Sequence, residues 1–349
     1  MTTVAQAQRE FRSEGVYLNT ASIGLPPRRT VDAVAAAVDR WGRGVDNASA
    51  FDGAIASSRA QYAELVGVPE RSVAIGSQAS VLAGIVAADL PADAEVLLAS
   101  GDFTSVMFPF LAQQQRGVAV RDVPLGQLAE SIGPRTTLVA VSAVQSADGA
   151  LADLAAVERS AREYGAQVLI DLTQSAGWLD IDAARFDYAI CSAYKWLMAP
   201  RGAAFLTMRD EHVGRPIAHG ASWFGGEDAW DSIYGSPLRL ASTARRYDAS
   251  PVWHSFVGLE QSLGLLHEVG VRAIGEYSVG LANRLRAAVG VPPGESAIVS
   301  IPVGDGAAEA IAQSGVQAAM RAGKLRLSFF LYNTEDDVDR TVEILRPYL

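Results

Sequence analysis

The chain has 349 residues, 49% of them hydrophobic, and a formal net charge of −10. That length supports one large domain and a smaller one, and an acidic chain without a lysine/arginine tract argues against nucleic acid or an anionic membrane as a partner. A single cysteine excludes an intrachain disulfide and points to a reducing cytoplasm, the polar start 1–10 lacks a signal-peptide core, and no apolar run approaches the roughly 18 residues of a membrane helix.

In chain order, residues 30–66 read as helical. Strand-like and helix-like runs then alternate from about residue 73 to 208. Val73–Ile75 leads through Gly76-Ser77-Gln78 into an apolar helix, Ser80–Leu90. Strands follow at Glu95–Ala99, Val118–Val123, Thr137–Val144, Val168–Asp171, Tyr188–Cys191 and Ala203–Thr207, with a helix at Asp153–Tyr164. Short continuous apolar strands between helices indicate an α/β fold with a mostly parallel sheet covered on both faces. A long helical stretch, Val252–Val269, follows Pro251. The chain closes with a strand at Lys324–Phe330, a turn at Asn333 and a helix from Glu335. The expected division is an N-terminal segment (1–25), a large α/β domain (26–251) and a smaller α+β domain (252–349).

Lys195 stands out within this pattern. It follows the apolar strand 186–191 in Ser192-Ala193-Tyr194-Lys195-Trp196. A lysine there loses hydration, which lowers its pKa and frees the amine to attack a carbonyl. One strand earlier, Asp171 ends Gln167-Val168-Leu169-Ile170-Asp171. A Schiff-base lysine with a buried aspartate is what pyridoxal phosphate (PLP) requires: one holds the aldehyde, the other keeps the ring nitrogen protonated. In open α/β sheets ligands sit beyond the carboxyl ends of the strands. Several further residues fall at that rim. Ser77 and Gln78 precede a helix start, where free N–H groups can cradle a phosphate or serve only as an ordinary cap. Phe103 can stack on a flat ring or belong to the core. Gln145 can donate a hydrogen bond or face solvent. Arg326, inside the apolar run 325–331, requires an anionic partner, either a carboxylate ligand or a structural salt bridge. The Gly- and Trp-rich segment 219–230, with Trp223, is suited to line a pocket or to fold as an anchored loop. The four histidines carry no assigned role, and no metal is expected.

Taken together, Tyr17-Leu18-Asn19-Thr20-Ala21-Ser22, Gly76-Ser77-Gln78, Val144-Gln145, Asp171-Leu172-Thr173-Gln174, Ser192-Ala193-Tyr194-Lys195-Trp196, Arg326-Leu327-Ser328 and Tyr332-Asn333-Thr334 resemble the class V aminotransferase group of fold type I PLP enzymes. That group includes cysteine desulfurases, cysteine lyases, kynureninases and isopenicillin N epimerase. The resemblance covers nearly the whole chain and implies roles residue by residue. Lys195 carries the cofactor and moves protons. Asp171 pairs with the ring nitrogen, and Gln174 hydrogen-bonds the ring hydroxyl. Ser77, Gln78, Ser192 and Tyr194 hold the phosphate, and Phe103 stacks. Arg326 grips the substrate carboxylate, with Asn19, Gln145 and Trp223 nearby. Ser250, in Tyr247-Asp248-Ala249-Ser250-Pro251, resembles the segment that reaches the neighbouring subunit's phosphate, so a homodimer with shared sites is implied. The chain departs from the desulfurases: residues 315–323 are short and lack cysteine, and Phe103 and Tyr194 stand where histidines are usual. β-Elimination on a small amino acid of the C–S lyase type is therefore placed ahead of transamination and epimerisation. Desulfuration and a PLP-binding protein without turnover stand behind these.

Overall fold

A computed structural model describes residues 2–349. Seven strands form the central sheet: β1 (Val73–Gly76), β2 (Glu95–Ala99), β3 (Ala119–Val123), β4 (Thr136–Ser142), β5 (Gln167–Asp171), β6 (Tyr188–Ser192) and β7 (Ala204–Met208). Their spatial order is β1-β7-β6-β5-β4-β2-β3. All neighbouring pairs are parallel except those made by β7, which runs antiparallel to β1 and β6.

The alternation of side chains along each strand builds two cores. Val73, Ile75, Leu97, Ala99, Val139, Val141, Val168, Ile170 and Cys191 point to one face. Ala74, Val96, Leu98, Leu138, Ala140, Leu169 and Ile190 point to the other. Helices Ala79–Asp89 and Thr104–Leu111 cover the second face, through Leu82, Val86, Val106 and Phe110. Helices Asp52–Leu65, Leu154–Tyr164 and Trp253–Val269 cover the first, through Ile55, Tyr62, Val157, Leu259 and Leu263. Burial on both faces explains why these strands read as unbroken apolar runs.

The helical stretch expected over 30–66 is two helices, Arg28–Gly42 and Asp52–Leu65. Gly44, with φ +67, breaks the first, and Asn47 caps the short turn Ala48–Phe51 that leads into the second. The C-terminal part adds a three-stranded antiparallel sheet, with Lys324–Ser328 between Ala319–Arg321 and Ile298–Ile301. Helix Trp253–Val269 packs along Arg28–Gly42 and Asp52–Leu65, so this first helix after residue 252 rests on the large domain. The N-terminal segment joins the two parts. Val16–Tyr17 pairs with Val316–Gln317, and the Gly24 amide donates to the Tyr194 carbonyl at 2.9 Å. Among the described residues, no helix is long and apolar enough to cross a membrane.

Candidate active site

The carboxyl ends of β4, β5 and β6 open onto one cavity. Ala79, Phe103, Ser105, Ser142, Ser146, Asp171, Thr173, Gln174, Ser192, Tyr194 and Lys195 line it. Asp171 is the last residue of β5 and is 4% exposed. Its Oδ1 accepts from the Thr173 amide at 2.8 Å. Burial pushes its carboxyl up to about 6, against the opposing pull of Thr173 and Lys195. Thr173 Oγ1 accepts from the Ser192 amide at 3.0 Å, locking the ends of β5 and β6 together.

Lys195 lies three residues past the end of β6 and is 4% exposed. Burial lowers its ammonium to about 8, although the Asp171 charge opposes the shift. Its Nζ stands 5.1 Å from the Phe103 ring centre and 5.8 Å from that of Tyr194. The turn that carries it is held from below by Gly24, where a Cβ would sit 1.9 Å from the Lys195 carbonyl oxygen. Phe103 is held from behind by Asp102, whose carboxylate accepts from the Phe103 amide and from the Ser142 amide and hydroxyl.

The helix Ala79–Asp89 begins beside this pair, and its N-cap residue Gln78 makes no side-chain capping bond. Its Ala79 amide donates to Ser192 Oγ at 3.1 Å. Ser77 and Gln78 immediately precede that helix start. A helix start with open first-turn amides is chemically suited to a phosphate.

Arg326 is 2% exposed. It donates through Nη2 to Ser22 Oγ at 2.7 Å and through Nη1 to the Ser146 carbonyl and hydroxyl. Among the described residues no carboxylate lies within 4.0 Å of it. The structural salt bridge considered above is therefore not formed. Burial, followed by the nearby Arg321 charge, depresses its pKa to about 10.

Other expected residues fall differently. Gln174 has both side-chain N–H groups engaged, by the Ala21 carbonyl and Ser146 Oγ, each at 2.9 Å. Its carbonyl accepts from Trp196 Nε1 at 2.8 Å. Ser146 Oγ already accepts from Gln174 and Arg326, so its own O–H is the donor left for a ligand. Gln145 turns its amide back to the Ser142 carbonyl, and Ser146 takes the cavity wall instead. Asn19 bridges to Ser328, with its Oδ1 buried and unpartnered. Trp223 packs against Phe224 and Trp230 outside the cavity, and Ser250 is exposed on a loop. Neither lines the cavity of its own chain. Sequence reasoning singled out none of Ser146, Ser22, Thr173 and Asp102, although Ser22 and Thr173 stand inside quoted motifs and Ser146 and Asp102 adjoin Gln145 and Phe103.

Elsewhere, Asp187, Glu211 and His212 approach within 4.8 Å of one another. Arg209 pairs with both carboxylates, which offsets the charge a cation would need.

The donor set fits PLP. A buried amine, a buried carboxyl, an aromatic face and a helix start surround one cavity, and a buried guanidinium without an anion adjoins it. Comparison with known proteins agrees. The aminotransferase class-V family matches residues 16–341. An uncharacterized aminotransferase of Bacillus subtilis, YcbU, is 27% identical over 308 residues, covering 82% of this chain and 81% of its own. The crystal structure of the Escherichia coli cysteine desulfurase CsdA superposes with a TM-score of 0.84 at 21% identity, over 99% and 98% of the two chains. That of the cystine C–S lyase C-DES gives 0.86 at 20% identity, over 96% and 98%.

Proposed function

The chain belongs to the aminotransferase class-V family, whose members depend on PLP, and from that premise we propose a PLP-dependent β-elimination on a small amino acid. The C–S lyase type is the form favoured. The observation that carries this reading is Arg326: a buried guanidinium bound only by neutral groups, beside Lys195 and Asp171. A charge so placed is stabilised by an arriving carboxylate.

When bound, PLP supplies the electron sink for a negative charge developing at Cα. The chain's own residues do the rest. Asp171 would pair with the ring nitrogen and keep it protonated. Ser77, Gln78, Ser192, Tyr194 and the helix start would hold the phosphate. Phe103 would cover the ring face, and Gln174, through Ser146, would order the groups near the ring hydroxyl. Lys195 would hold the cofactor's aldehyde group and, once freed by the substrate's amine, would take the proton from Cα, its lowered pKa leaving a fraction of free amine near neutral pH. Arg326 fixes the substrate carboxylate. Ser250 and the loop around Trp223 complete the site of a second copy in a homodimer.

Elimination is favoured over desulfuration because a desulfurase needs an accessible thiol to receive sulfur. The only cysteine, Cys191, is 1% exposed on β6, and burial pushes its thiol well above the ordinary range. Transamination is the second reading, supported by the likeness to YcbU. For a cysteine S-conjugate, elimination with water gives a thiol, pyruvate and ammonia. The test is incubation of PLP-loaded protein with such a conjugate and no keto acid. Sustained pyruvate and ammonia release supports the lyase. A single turnover that restarts only on adding a keto acid makes the protein an aminotransferase.

A further inference from the structure

Two guanidinium groups converge on one hydroxyl at the edge of the site, and a substrate α-carboxylate accounts for only one of them. Arg326 Nη2 donates to Ser22 Oγ at 2.7 Å, and Arg321 Nη2 approaches the same oxygen at 3.4 Å. The two nitrogens are thus at most about 6 Å apart, where like charges repel appreciably. The hairpin explains the convergence. Arg321 pairs with Lys324, and Ala319 pairs with Arg326. Opposite residues, and residues two apart on a strand, share a face. Arg321, Lys324 and Arg326 therefore stand on one side of the small sheet.

Like charges directly opposite one another destabilise a strand pair. Among the described residues no carboxylate lies within 4.0 Å of any of the three to relieve them. Arg321 also contributes to the lowered pKa of both Arg326 and Lys195, so its charge is felt inside the cavity. Arg326 is buried whereas Arg321 is exposed, which puts Arg321 on the solvent side of the pair. With the α-carboxylate on Arg326 and the amino group at Lys195, a second anion on the side chain finds Arg321 as its free cation.

We propose that Arg321 is a specificity-determining residue that receives a second carboxylate carried on the substrate side chain. In the lyase reading, on which this inference rests, the substrate is a cysteine S-conjugate with an acidic leaving group. For an S-carboxymethyl conjugate the Cβ–S bond breaks, the Cα proton is lost, and water completes release of thioglycolate, pyruvate and ammonia.

The test uses PLP-loaded protein and a spectral titration read before turnover. The probes are S-carboxymethyl-L-cysteine, its uncharged isostere S-carbamoylmethyl-L-cysteine, and L-alanine as the reference. The acid is expected to bind about tenfold more tightly than the isostere, the scale of one charge-assisted pair. In Arg321→Gln that ratio is expected to fall to within twofold, and the advantage of the acid over L-alanine to shrink about tenfold. Two results overturn the inference while leaving the proposed function standing: no preference in the unmodified protein, or equal weakening of acid and alanine in Arg321→Gln. The second would mean that both arginines share the α-carboxylate. No spectral response to any amino acid, alanine included, would sink the proposed function and this inference with it.

Discussion

Replacing Arg326 with methionine separates a ligand-binding role from a structural one. The guanidinium is 2% exposed, and its partners are two hydroxyls and one carbonyl, all neutral. Hydrogen bonds from a charged donor contribute about 2 kcal/mol each, against a desolvation penalty for the unpaired charge of several kcal/mol. The two nearly cancel, so Arg326→Met is expected to melt within a few degrees of the parent. Removing the partner of a buried carboxylate costs about 2–4 kcal/mol, which is a loss of about 30- to 1000-fold in affinity. The assay is a thermal melt, a PLP titration and an amino-acid titration on the same variant. Amino-acid affinity is expected to fall over that range, with PLP affinity held within about threefold. Loss of PLP affinity with amino-acid affinity retained would show that the arginine serves the cofactor or the fold.

Three other predictions follow from the geometry. Asp171→Asn is expected to fold and bind PLP but lose about 100-fold or more in turnover, since an amide cannot hold the ring nitrogen protonated; turnover within a few-fold of the parent would remove Asp171 from that role. Because burial lowers Lys195 to about 8, its neutral fraction at pH 7 is about one-tenth, roughly 300-fold above that of an ordinary lysine. PLP uptake by the cofactor-free protein is expected to speed up as pH rises through about 8 and to level off above, and a rise continuing past pH 10 would contradict the shift. Gly24→Ala forces a Cβ to 1.9 Å from the Lys195 carbonyl oxygen. It is expected to cost about 1–3 kcal/mol in a denaturant melt and to slow PLP uptake, and unchanged values for both would mean that the turn does not depend on Gly24.

The fold was legible where burial on both faces leaves an unbroken apolar run. Glu95–Ala99 has the bounds expected from sequence, and the other six strands of the central sheet shift only by a residue or two at their ends. Elements that mix signals were not legible. Thr104–Leu111 carries Pro109 and two phenylalanines within one helix, and Gly270, with φ +90, hides the start of Val271–Ala288 behind a helix end. At the site, Lys195, Asp171 and Arg326 announce themselves as charges inside apolar segments. Ser22, Ser146 and Thr173 do not, because a small hydroxyl in a loop looks the same in sequence whether it faces solvent or a guanidinium. Gln174 lines the cavity and has protein partners that the sequence does not announce. Its two N–H groups are taken by Ala21, which lies 153 positions away, and by Ser146, its Oε1 accepts from Trp196 with one lone pair left, and only the fold brings these together.

Lys195 is the residue proposed to carry PLP. The chain has only two lysines, Lys195 and Lys324, which makes the claim open to one direct measurement. Protein incubated with PLP is reduced with borohydride, digested, and its peptides weighed by mass spectrometry. One phosphopyridoxyl adduct per chain is expected, on the peptide containing Lys195. An adduct confined to the exposed Lys324, or none at all, would contradict it.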